Sequence, residues 1–479
     1  MKAFPLFFTL NIISLFSFNT AFNITEERLK DLDKMISSQV NSARLPTFGI
    51  IITNKTSTIF QEIYGENNEV TTKTPFIIGS VSKSFTALAL LKSGEDLNKT
   101  LDKFENLKDY IKDDVARDIT VGELLNHTSG LESFGSHKIY EKGNYHYSNY
   151  GFSLLGKIIE SKSGMSYNEF MTKNIFTPLG MNDTKAEYRE DVIESYENFF
   201  GFRTKYGGLK SEIGDGFFIP AGFISTTIED MGKYLRYYLN TDSDDYKNYI
   251  SRMIESNLSV GYKEKYGMGL IIQEKNGMKV IQHGGATNSF LCNLFVYPDN
   301  DLGLFVITNY NDVFCSKPTS ELFKNIESFL LYDTYSGISS NLFFFIHFIL
   351  DIIIIIIICI PLCYLIITIV RRIKKEKYTW FNGVKGIIVF IVDLIFLILL
   401  PLVIIIFLFA TSADLRYAVV NSKDILLALF GFTSPLFLNF ITKLVYVFVY
   451  RKFFKKFELE DAKKVEQMDY NYIGVEEER

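Results

Sequence analysis

Cysteine is scarce, with four in 479 residues. Cys359 and Cys363 lie in an apolar run, where a small hydrophobic side chain needs no special role. Cys292 and Cys315 could pair in an oxidising compartment, although nothing in their spacing demands it. The five histidines (127, 137, 146, 283 and 347) contain no close pair of the kind that seeds a zinc site, so metal-assisted hydrolysis is not expected. There is no Gly-x-Ser-x-Gly elbow and no glycine-rich loop that could cradle phosphate. There is also no long basic stripe, and the formal net charge is -5, which argues against nucleic acid as a partner. No metal or cofactor is called for.

What the chain does have is a sharp change of composition. Up to about residue 339 charges, glycine and apolar residues mix as in a soluble domain, whereas from Asn341 onward Ile, Leu, Phe and Val dominate. Three stretches, 342–370, 386–410 and 425–450, are long enough to cross a bilayer, which takes roughly 20 apolar residues. The cluster Arg371-Arg372-Ile373-Lys374-Lys375 follows the first stretch, and Arg451-Lys452-Phe453-Phe454-Lys455-Lys456 follows the third. By the positive-inside rule both clusters are cytoplasmic and the N-terminal part lies outside. Lys2, an apolar run to about Phe18, and Ala21 have the make-up of a secretory signal, which gives the same orientation whether it is cleaved or kept as an anchor. The expected organisation is a signal peptide at 1–21, an extracytoplasmic domain at 22–339, three transmembrane helices within 340–452, and a cytoplasmic tail at 453–479. Asp393 and Lys443 each lie about 10 Å inside the cytoplasmic face and are candidates for an intramembrane ion pair.

Within the exported part, Leu29, Leu32, Met35, Ile36 and Val40 recur at helical spacing. The β-rich runs 48–53 and 57–64 flank Asn54-Lys55-Thr56, and 290–297 and 303–308 flank Pro298-Asp299-Asn300-Asp301, so two hairpins are predicted. The middle, from Ser80 to about Asn240, has helical periodicity. This pattern implies a sheet assembled from both ends of the domain with a helical insert against it.

The segment Gly79-Ser80-Val81-Ser82-Lys83 opens an apolar-periodic run through Phe85, Leu88 and Leu91. Positions i and i+3 share a helix face, so the Lys83 amine is aimed back at the Ser80 hydroxyl. A serine hydroxyl is a weak nucleophile until a neighbouring base takes its proton. Such a pair alone is equally compatible with a solvated surface helix. It is followed, however, by Tyr147-Ser148-Asn149 and then by His283-Gly284-Gly285.

S-x-x-K, Y-S-N and H-G-G in this order resemble the active site of serine β-lactamases and penicillin-binding proteins, closest to class C β-lactamases and their esterase and peptidase relatives. Leu124-Leu125-Asn126-His127-Thr128-Ser129-Gly130-Leu131, Pro220-Ala221-Gly222-Phe223 and Tyr266-Gly267-Met268-Gly269-Leu270 fit the same pattern. The resemblance covers about 48–309. It implies an α+β fold, an antiparallel sheet with flanking helices and a helical subdomain.

It also implies roles for individual residues. Ser80 would form the acyl-enzyme, with Lys83 and Tyr147 handling its proton. Asn149 would bind substrate and help hold Lys83. His283, on an edge strand facing the site, would bind substrate with Gly284, Gly285 and Ala286, and the amides of Ser80 and Ala286 would form the oxyanion hole. His127 is expected to be structural, and Tyr145 and Tyr150 to be core residues. Histidine where many members carry lysine replaces a permanent cation with a group mostly neutral at pH 7. Esterase, amidase or peptidase activity on a small-molecule or peptide acyl substrate is therefore favoured over efficient β-lactam hydrolysis. The alternatives are a non-hydrolytic sensor or binding module, or an acyltransferase, on the same fold.

Overall fold

A computed structural model of the chain describes residues 24–338, apart from 68, 138–139, 200–201, 257 and 313–315, together with scattered positions from 345 onward. It divides into two compact units, Met1–Asn198 with Arg203–Ser340, and Phe199–Phe202 with Asn341–Arg479.

The first unit opens with helix α1 (Glu26–Ala43), started by the Thr25 side chain accepting the Arg28 amide at 3.3 Å, with Glu26 and Glu27 countering the helix dipole. Its periodic residues Leu32, Met35, Ile36 and Val40 are all buried. Strands β1 (Thr47–Thr53) and β2 (Thr58–Gly65) form the first predicted hairpin. A long insert carries helices α2 (Ser82–Ser93), α3 (Asn149–Ser163) and α4 (Ile228–Leu239). The chain then returns as β3 (Ser259–Gly261), β4 (Glu264–Tyr266), β5 (Ile271–Lys275), β6 (Met278–Ala286), β7 (Leu291–Tyr297) and β8 (Leu302–Thr308), and closes with α5 (Lys317–Tyr332).

These eight strands make one antiparallel sheet in the order β2-β1-β8-β7-β6-β5-β4-β3. The two ends of the domain meet in the sheet's second and third strands, where Phe48 pairs with Thr308. Alternation along β1 explains why its seven residues are all buried: Phe48, Ile50 and Ile52 belong to one core with α1 and α5, and Ile51 to a second core with the helical insert.

The expectation that His283 lies on an edge strand needs correction. β6 is an interior strand, bonded to β5 through Met278–Gln282 and to β7 through Ile281–Ala286. Because β5 ends its pairing at Gln282, residues 283–286 overhang it, and that overhang is a local edge within an internal strand.

The signal segment 1–21, Asp393, Lys443 and Cys315 lie outside the described residues, as do most of the first apolar stretch, all of the second and all of the third but Leu438. Among the described residues no helix is long and apolar enough to cross a membrane. Those described between 345 and 370, including Phe345, Phe348, Ile352 and Ile356, are helical and, though apolar, exposed.

Candidate active site

The floor of the site is the junction of α2 with the overhanging end of β6. Ser80 sits in a 3-10 turn (Gly79–Val81) that runs directly into α2. Gly79 has φ +50, and a Cβ on it would stand 2.4 Å from the Ala286 nitrogen. A Cβ on Gly285 would stand 2.1 Å from the Ile78 carbonyl oxygen. Two residues without side chains therefore let the nucleophile turn lie flat against the backbone of 285–286, with Gly79 beside the Ala286 amide.

Lys83 is completely buried. Its Nζ lies 3.1 Å from Ser80 Oγ, 2.6 Å from Asn149 Oδ1 and 2.6 Å from the Ala221 carbonyl oxygen. Burial pushes the amine well below the usual lysine range. A neutral amine has two N–H groups, which the two 2.6 Å acceptors use, and one lone pair, which is left for the Ser80 hydroxyl proton. Ala221 comes from the short turn Ile219–Gly222, packed between α2 and α3. Its carbonyl was not among the expected site groups, because a backbone oxygen carries no residue signature.

Tyr147 is half-buried, and its burial raises its phenol well above the ordinary range, while a hydrogen bond with Ser80 works the other way. Its ring centroid is 4.7 Å from Lys83 Nζ. Asn149, the first residue of α3, uses both ends of its amide: Oδ1 accepts from Lys83, and Nδ2 donates to Ser133 Oγ at 3.0 Å. The Ser148 hydroxyl caps the same helix by accepting the Gly151 amide at 3.0 Å.

His283 is 4 % exposed, with its ring 6.4 Å from that of Tyr147. Its Nδ1 lies 2.6 Å from the Gly284 carbonyl oxygen and its Nε2 3.4 Å from the Tyr266 hydroxyl. Burial, helped by the Lys83 charge when that is present, takes its imidazole down to about 4. His127, expected to be structural, is fully buried beside the site, with its ring 4.3 Å from that of Tyr147 and its Nε2 3.0 Å from the Tyr266 hydroxyl. Tyr145 packs on His127 and Tyr266, and Tyr150 packs on Phe217 and donates to the Tyr110 carbonyl. Cys292 is a buried free thiol that donates to the Ile78 carbonyl at 3.2 Å. Ser80, Lys83, Tyr147, Asn149 and 283–286 thus converge on one site, and Tyr266, His127 and Ala221 join them.

A serine bonded to a buried lysine at the head of a helix, against an antiparallel sheet closed by both ends of the domain, defines the β-lactamase and transpeptidase class of α+β fold. The chain belongs to the beta-lactamase family, whose model matches residues 32–318. It is similar to "Beta-lactamase-like protein 4" of Dictyostelium discoideum, 26% identical over 334 residues, covering 57% of this chain and 58% of that protein. "Protein flp" of Staphylococcus aureus is 22% identical over 354 residues, covering 66% of this chain and 70% of that one. Among solved structures, the octameric penicillin-binding protein homologue from Pyrococcus abyssi is 27% identical with a TM-score of 0.53, covering 63% of this chain and 77% of that one.

Proposed function

We propose that this protein is a membrane-anchored serine hydrolase that works outside the cytoplasm through an acyl-enzyme on Ser80, cleaving an ester, amide or peptide. The observation that carries this is the 3.1 Å approach of Lys83 Nζ to Ser80 Oγ, with the amine fully buried and no carboxylate among its three partners. Lys83 takes the Ser80 proton as Oγ attacks the acyl carbon. The amides of Ser80 and Ala286 hold the developing oxyanion. Tyr147 stays a phenol at rest, so it is a proton carrier: it gives its proton to the leaving group and is reprotonated from Lys83. Deacylation reverses this traffic, with water losing its proton through Tyr147. Asn149 keeps the amine aligned and contacts substrate, as do His283, Gly284 and Gly285.

Anchoring through three C-terminal helices is supported by the apolar stretches and their flanking basic clusters, and by the exposed helical residues between 345 and 370. The signal-like N-terminus supports the same reading, with the 22–339 domain on the extracytoplasmic side.

The test is labelling of the protein by a fluorophosphonate, comparing wild type with Ser80→Ala, with nitrophenyl ester turnover and fluorescent penicillin read on the same samples. Ser80-dependent labelling with ester turnover is expected. Stable penicillin labelling without turnover would turn the reading towards a sensor, and no labelling of folded protein would remove Ser80 as nucleophile.

A further inference from the structure

Behind the site, four side-chain contacts form a continuous chain with only one consistent direction. The Ser148 backbone N–H donates to His127 Nδ1 at 3.0 Å. That nitrogen must therefore be bare, so in the neutral ring Nε2 carries the hydrogen and donates to the Tyr266 hydroxyl oxygen at 3.0 Å. The Tyr266 hydrogen is then free to go to His283 Nε2, 3.4 Å away. His283 Nδ1, 2.6 Å from the Gly284 carbonyl oxygen, must carry a hydrogen because a carbonyl can only accept. A backbone amide at one end and a backbone carbonyl at the other thus set every proton between them.

We propose that Tyr266, oriented by His127, is a positioning and specificity-determining residue: it holds His283 as the neutral Nδ1–H tautomer, so that the 283–286 strand offers no cation and the site selects acyl substrates without a carboxylate there. The inference rests on the acyl-enzyme reading for its substrate half and on geometry alone for its tautomer half. A proton added to His283 would go to Nε2. The Tyr266 oxygen would then face two N–H donors, and its own hydrogen would be displaced inside a fully buried cluster. The other groups facing His283 reinforce this. Lys83 from α2 repels positive charge whenever it holds the Ser80 proton, His127 is a buried neutral ring, and Tyr147 and Tyr266 are phenols whose ionisation burial opposes. No carboxylate appears among the groups that shift His283.

The test uses the full-length chain in detergent with isotope-labelled histidine, where five imidazoles give a readable spectrum. Wild-type His283 is expected to show the Nδ1–H tautomer and to stay neutral down to about pH 5, and Tyr266→Phe to move its titration up by about one unit or more, a tenfold gain in cation. Initial rates on a neutral nitrophenyl ester and on its ω-carboxylate analogue are then compared from pH 5.5 to pH 8. The ratio of kcat/KM for the carboxylate ester to that for the neutral ester should be flat in wild type. In Tyr266→Phe, and in His127→Gln, it should rise by about tenfold at pH 5.5. His283→Lys should raise it at every pH, which shows that a cation there can be read. A wild-type His283 that titrates near 6.5 or holds the other tautomer overturns the inference. So does an unchanged ratio in Tyr266→Phe when His283→Lys changes it. If wild type turns over neither ester, the acyl-enzyme reading fails, and the imidazole spectra still decide the tautomer lock.

Discussion

A lysine stripped of water is the least comfortable residue in this fold, and its discomfort can be measured. Lys83 is lowered well below its unfolded value, so between its folded value and about 10.5 the unfolded chain binds more protons. Native stability therefore falls as pH drops through that window, by up to about 1.4 kcal/mol per unit for this one group. Lys83→Met should lower ester turnover by about 10²-fold or more. Urea unfolding at pH 7 and pH 9 should show the mutant with the shallower pH dependence. His283 carries the same sign at lower pH. Neutral in the fold down to about 4 and ordinary when unfolded, it removes about 3 kcal/mol of stability as pH falls from 6.5 to 4. In His283→Asn that portion of the acid sensitivity should be missing from the urea midpoints. The Ser80–Lys83 pair was legible in the sequence because i and i+3 contact is local and needs only a helix. His127 and Tyr266 are 139 positions apart, and their meeting with His283 depends on how β4, β6 and the turn after the short helix Val121–Leu125 stack, which no local pattern encodes.

At the scale of elements, the site depends on how closely α2 and β6 approach. A Cβ on Gly285 would meet both the Ile78 carbonyl oxygen, at 2.1 Å, and the Cys292 sulfur, at 2.6 Å. Both neighbours are buried and fixed. Gly285→Ala should cost about 1–3 kcal/mol by overpacking and lift the nucleophile turn off the strand. Thermal unfolding with fluorophosphonate labelling would check this, with labelling expected to fall more steeply than stability. The two hairpins and the opening helix were foreseeable from alternation and turn chemistry. The status of β6 was not. An H-G-G run reads as an exposed edge, and only the pairing register reveals that β5 stops at Gln282 and leaves four residues overhanging.

For the whole molecule, the proposed division of labour separates chemistry from anchoring. A chain ending at residue 338 should be recovered without detergent and label at Ser80 as the full chain does, whereas the full chain should fractionate with membranes. Labelling lost on truncation, with the fold retained by circular dichroism, would show that the C-terminal part contributes more than an anchor. The pairing of β1 with β8 has a further consequence, for biosynthesis. Strand β1 emerges early, and the residues it must bond, from Gly303 to Thr308, are made some 250 residues later. Throughout that interval Ile50, Ile51 and Ile52 have only one flanking strand, β2, available to shield them. A nascent chain of this design cannot close its sheet while it is being delivered, so it must stay loose and guarded until the ribosome has nearly reached the apolar stretches that follow.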